Sequence, residues 1–113
     1  MSKRQVERTP ADAAVLFAAL GDQTRLALLD RLSRGGPASI SALAGRFRVT
    51  RQGITKHLHV LAAAGIIDGH RRGREHLWTL NPIKLAEGQR CLEIISRGWD
   101  DALARLKAQV EER

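Results

Sequence analysis

The stretch Arg48–Gly65, RVTRQGITKHLHVLAAAG, leaves the chain few choices. Ile54, Leu58 and Leu61 recur at i, i+4 and i+7, which puts one apolar stripe along a single helix face. Thr50 is a good N-cap, because its side-chain oxygen can accept from the unpaired amides of a first turn. Gly65 closes the run as a residue free to take positive φ. Away from the stripe stand Arg51, Gln52, Thr55, Lys56 and His59, with no carboxylate among them. A solvated helix face ordinarily mixes both signs, since opposite charges four residues apart stabilise it. A one-signed face with amide and hydroxyl groups suits a polyanion whose base edges can be read, Arg bonding guanine and Gln bonding adenine.

The charge of the rest of the chain agrees. The formal net charge is +7, and between Arg46 and His76 there are seven Lys or Arg residues and two acids. All four histidines also fall in that span, while the remainder carries 12 basic and 10 acidic side chains. A clustered basic field predicts an anionic partner and salt-sensitive binding. An idle basic surface would scatter its charge.

The flanking segments fit around this helix as one domain over residues 10–113, behind a polar tail over 1–9. Pro10 suits a helix start, with Val15, Leu16, Phe17 and Leu20 available for packing before Gly21. Asp22 is the expected cap of a second helix, Gln23 to Arg34, whose buried side carries Leu26, Leu29 and Leu32. Gly35, Gly36 and Pro37 stop it. Ser39 caps a short helix to about Phe47, with Ile40, Leu43, Ala44 and Phe47 inward. That helix and the Arg48 stretch, joined by a short turn, make a helix-turn-helix.

After Gly65 the period changes. Residues 66–71 and 74–80 read as antiparallel strands around Arg72-Gly73, with Ile67, Trp78 and Leu80 toward the body. Arg71, Arg72 and Arg74 are left at the tip. Such a hairpin beside a reading helix is a wing, able to hold phosphates or enter a narrow minor groove. Asn81 caps and Pro82 begins a last helix, along which Leu92, Ile95, Trp99, Leu103, Leu106 and Val110 form a seam. A terminal helix with its own seam is expected to pair with a second copy of the chain, its first helix contributing Val15 and Leu16. Folding back onto its own domain is the alternative, and it predicts a buried seam. The fold class is thus mainly α: a winged helix-turn-helix with a two-stranded wing and a long C-terminal dimerisation helix.

At this point the residues resemble a known family. The runs LGDQTRLALLDRLSRG, SALAGRF, VTRQGITKHLHVLAAAGII and RRGREHLWTL are similar to those of ArsR-type winged-helix repressors. The resemblance covers Ala14 to Leu80 closely and the last helix more loosely. Its most specific parts are Gly21-Asp22-Gln23-Thr24-Arg25, His57-Leu58 with Leu61 and Gly65, and the wing. It implies a homodimer on a palindromic operator in double-stranded DNA, released when a small-molecule effector or a modification alters the dimer. It places Gln52, Thr55, Lys56 and His59 at base- or phosphate-facing positions, and Arg72 and Arg74 in the wing. Metal-sensing members carry two cysteines before the reading helix, or His and Asp ligands on the last one. Ser39 and Ser41 stand at those cysteine positions here, and the segment from Pro82 onward has no histidine. Hydroxyls are poor ligands for the ions thiolates bind. The resemblance is therefore to the subgroup without those metal ligands, which has a terminal-helix Trp, here Trp99.

Other readings weaken on inspection. Cys91 is the only cysteine, which excludes an internal disulfide and suits a reducing, cytoplasmic setting; as a redox switch it lacks a resolving thiol. His57 and His59 point apart on a helix, and His70 with His76 would make only a two-ligand site. His57 is expected to be packed or hydrogen-bonded, His59 to meet phosphate. Glu87, Glu93, Asp100 and Asp101 read as a solvated helix face. No nucleophile–base pair or phosphate loop suggests an enzyme, no cofactor is expected, and no stretch has the apolar length of a membrane span. Trp99 could line a small apolar pocket near a dimer axis. A protein-interaction module and a sequence-tolerant architectural protein are the rivals; the Gln and Thr beside Arg and Lys favour DNA over the first, and comparing selected with scrambled duplexes separates the second.

Overall fold

The structure, a computed structural model, describes residues 13–112. The tail over 1–9 and the helix start at Pro10 lie outside them. Residues 13–20 are helical (α1), and the Gly21 amide donates back to the Ala18 carbonyl at 3.2 Å as the chain turns. Helix α2 (Gln23–Gly35) begins as expected, with the Asp22 carboxylate accepting from the Arg25 amide at 3.0 Å. Gly36 closes it at φ 74, a conformation that glycine adopts without a Cβ clash. Its buried face is Leu28, Leu29 and Leu32; Leu26, expected inside, is 52% exposed. The stripe centres between Leu28 and Leu29, close to Leu32, leaving Leu26 about 110° round the axis at 3.6 residues per turn.

Strand β1 (Ala38–Ser39) was not legible in the sequence. It pairs antiparallel with Leu77 and Trp78, so the sheet has three strands rather than two. Ser39 then caps α3 (Ile40–Ala44), accepting from the Ala42 amide at 3.2 Å. This helix ends at Gly45 instead of Phe47; Phe47 still packs against the core from the turn that follows.

Helix α4 (Arg51–Ala63) has Ile54, Leu58 and Leu61 wholly buried, the stripe that the spacing predicts. Thr50 accepts from the Gly53 amide at 3.0 Å. Past Ala64, Gly65 takes φ 79, its amide donates to Ala62, and the Ile66 amide donates to Leu61 at 3.0 Å. These two bonds are a Schellman closure, completed by apolar contact between its flanks, and Leu61 and Ile66 are both buried.

Strands β2 (Ile67–Arg72) and β3 (Glu75–Leu80) pair from Ile67 opposite Leu80 to Arg72 opposite Glu75. The turn is therefore Gly73-Arg74, one residue later than expected. Gly73 alone has positive φ, the pattern of a type II′ hairpin turn. Register follows from the buried root, where Ile67 and Trp78 face the core and the Asn81 amide donates to Ile66 at 2.8 Å.

Asn81 accepts from the Ile83 and Lys84 amides and starts α5 (Pro82–Glu111), 30 residues with Pro82 in the first turn. Gly88 is its one buried residue among those described; a Cβ there would lie 3.0 Å from a Leu16 methyl of α1. Leu16 is thus held in the protomer's own core, 3% exposed, and offers no free surface to a partner, contrary to its assignment with Val15. Val15 is 55% exposed. Beyond Gly88 the helix leaves the body, and Leu92, Ile95, Trp99, Leu103, Leu106 and Val110 stay exposed instead of folding back. The molecule measures 67 × 36 × 21 Å. No helix among the described residues is long and apolar enough to cross a membrane.

Candidate nucleic-acid interface

The outward face of α4 carries Arg51, Gln52, Lys56 and His59, all exposed. Thr55 is half-buried, and its hydroxyl donates to the Arg51 carbonyl at 2.9 Å. The oxygen therefore keeps its lone pairs toward the surface, as an acceptor. At the entry to the helix, a Cβ on Gly53 would lie 2.6 Å from a Val49 methyl and 3.2 Å from the Thr50 hydroxyl. Gly53 is what lets the turn fold closely over the first amides.

Two contacts that sequence reasoning missed orient this helix. Arg25 of α2 donates through Nε to the Ala19 carbonyl and through Nη2 to Ala18 at 3.3 Å, gathering the end of α1. Its Nη1 lies 3.3 Å from Nδ1 of His57 on α4. A guanidinium only donates, so Nδ1 accepts and the ring proton sits on Nε2. The Asp22 carboxylate is 3.8 Å from the same Nδ1. That separation becomes an ion pair only if the ring is protonated, which would end the bond from Arg25. The Arg25 amide holds the Asp22 carboxyl below its ordinary value of 3.8 against partial burial, with the Arg25 charge assisting. A lowered value means that its contribution to stability is complete at neutral pH and fades as pH falls through the folded-state value. The only sequence signal was the run Gly21–Arg25 itself, which does not reveal a partner 32 residues away. Arg25→Ala is expected to lower the unfolding free energy by about 1–3 kcal/mol in urea titration, since it strips acceptors on both α1 and α4.

The second contact joins α4 to the wing. His59 meets the Trp78 ring edge-on at 6.3 Å between centroids, and His76 stacks on Trp78 at 4.6 Å and 12°. Gly69 leaves the room: a Cβ there would come within 2.2 Å of His76 Nε2. His70 lies on the other face of the hairpin, 3.3 Å from the Thr79 hydroxyl, so His70 and His76 do not converge. Among the described residues no group of three or more His, Cys, Asp or Glu is placed to hold a metal.

Arg71, Arg72 and Arg74 are all exposed. Alternation along β2 puts Arg71 on the face that carries Trp78 and His76, and Arg72 on the opposite face across from Glu75. Arg74 sits in the turn. The three arginines therefore bracket the wing tip instead of sharing one side.

Helix, turn, helix and wing are also the parts that known proteins share with this chain. A family model describing a helix-turn-helix domain matches residues 20–70. The transcriptional repressor SdpR of Bacillus subtilis is 32% identical over 87 residues, 76% of this chain and 96% of that protein. An ArsR-like transcriptional regulator from Rhodococcus sp. RHA1 superposes with a TM-score of 0.78 at 41% identity, over 88% of this chain and 92% of that one. The homodimeric winged helix-turn-helix domain Mb0332 of Mycobacterium bovis gives a TM-score of 0.66 at 20% identity, over 86% and 88% of the chains, a likeness of fold. Similarity of this extent runs through α2, α4 and the wing together, and the chain belongs to the ArsR-like family of DNA-binding helix-turn-helix transcriptional regulators.

Proposed function

We propose that the protein is a homodimeric repressor that reads a pseudo-palindromic operator and does not respond to metal through a cysteine site. The observation that carries this is the outward face of α4, cationic and amide-bearing with no carboxylate, tied through Trp78 to a wing tipped with arginine. Arg51, Gln52, Thr55, Lys56 and His59 act in the major groove; Arg71, Arg72 and Arg74 act from the wing on backbone or minor groove. The exposed seam of α5, with Val15 of α1, is the surface that a second copy covers. Two-fold symmetry then sets the two reading helices about 34 Å apart, one duplex turn. An effector that alters the dimer would act through that seam, where Trp99 is 65% exposed in the single chain.

The test is binding to the duplex upstream of the protein's own gene against a scrambled duplex, at two salt concentrations, with and without chelator. Preference for the native duplex that survives the chelator supports the proposal. Equal, steeply salt-dependent binding to both would favour a sequence-tolerant architectural role. Within the interface, Gln52→Ala is expected to relax preference at one base pair per half-site, costing about 1–3 kcal/mol there. Arg72→Ala is expected to weaken all duplexes alike and lower the salt slope by about 1. Uniform loss from both variants, measured by anisotropy over a panel of substituted sites, would refute this division of labour.

A further inference from the structure

A cationic hollow at the end of α2 has no part in the reading above. The last turn of α2 and the turn after α3 enclose an open cavity of about 510 Å³ lined by Asp30, Arg31, Arg34, Gly35, Arg46 and Phe47. Three arginines face one carboxylate, and that carboxylate is engaged: Asp30 accepts from Arg34 Nε at 2.9 Å. The negative end of the helix dipole draws cations to such a place. Exposed side chains would satisfy it, and Arg34 is 79% exposed.

Arg31 is different. Its Nη1 is buried and has no hydrogen-bond partner among the described residues. A charged donor withdrawn from water without an acceptor costs free energy, which an occupant of the hollow would offset. A Cβ on Gly35 would lie 2.1 Å from Nη1 and 2.7 Å from Cζ of Arg31, so the guanidinium occupies space that only glycine leaves.

We propose that Arg31, Arg34 and Arg46 form a binding site for a phosphate-class oxyanion, with Arg31 Nη1 as its inner donor. Planar guanidinium forks match the oxygen edges of a tetrahedral anion. Three arginines less Asp30 leave two positive charges, which a phosphate dianion neutralises and a single carboxylate does not. The negative end of α2 opposes any anion, so the site depends on all three arginines together. The same chemistry has two sources, free phosphate or the backbone phosphate of bound DNA.

Calorimetric titration of the full chain with inorganic phosphate, at ionic strength held constant with chloride, is expected to show one saturable site per protomer. Arg46→Ala, at an exposed position, should weaken it tenfold or more. Gly35→Ala should weaken it comparably while keeping every charge, because the new methyl displaces the Arg31 guanidinium. Arg97→Ala, an equal loss of charge on α5, should leave it within twofold, and thermal melts establish that each variant is folded. Absence of saturable binding in the unmodified protein, an unaffected folded Gly35→Ala variant, or an equal loss with Arg97→Ala would overturn the site. The salt dependence of duplex binding separates the sources. A slope reduced by about 0.9 in Arg46→Ala assigns the bound group to the DNA backbone. An unchanged slope assigns it to free phosphate.

Discussion

Replacing Leu103 by glutamate is expected to leave each protomer folded while lowering operator affinity by about 100-fold or more. Leu103 is 56% exposed in the single chain and lies about four turns beyond Gly88, the last buried residue of α5. A carboxylate there removes nothing from the protomer's core. In a two-fold interface the substitution appears twice, and each copy must be buried among apolar side chains of the partner. An unpaired charge in such a place costs several kcal/mol. Once the protomers separate, each half-site must be bound alone, and the gain from linking two reading helices, on the order of 10²–10⁴ in affinity, is lost. Sedimentation should show a monomer with an unchanged helical spectrum, and anisotropy the fall in affinity. A variant that still sediments as a dimer and binds normally would remove this seam from the interface.

Leu58→Ala tests the other half of the reading, that α4 is held by its apolar stripe. Leu58 is wholly buried between Ile54 and Leu61, and it neighbours His57, which Arg25 engages. Truncation leaves a cavity as well as lost apolar burial, so about 2–5 kcal/mol of stability should disappear in urea titration. Val60→Ala is the control: at 42% exposed on the same helix, it should change stability by only about 0.5 kcal/mol. A loss below about 1 kcal/mol at Leu58 would mean that the stripe is not what fixes the helix.

Much of this was legible because it is local. Asp22, Ser39, Thr50 and Asn81 each cap the helix that follows, since a short side chain reaches an amide two or three residues on. Gly65 and Gly73 turn where positive φ is needed, and Ile54, Leu58 and Leu61 are buried as their spacing requires. Errors arose where a period had to be placed against something unseen. Leu26 lies off the buried face of α2 because that face is set by where α4 and the sheet sit. Leu16 is buried because Gly88, 72 residues later, opens space for it. The wing turned one residue late because its register is fixed at the root by Ile67 and Trp78.

The sequence by itself determined the helices, their ends, the hairpin and the one-signed face of α4, all consequences of residue type at short range. Only the tertiary structure decided that Ala38 and Ser39 add a third strand, because two residues carry no period to read. It also decided that Arg25 reaches His57 and that His59 meets Trp78. Those contacts join segments far apart in the chain, and packing, not propensity, brings them together.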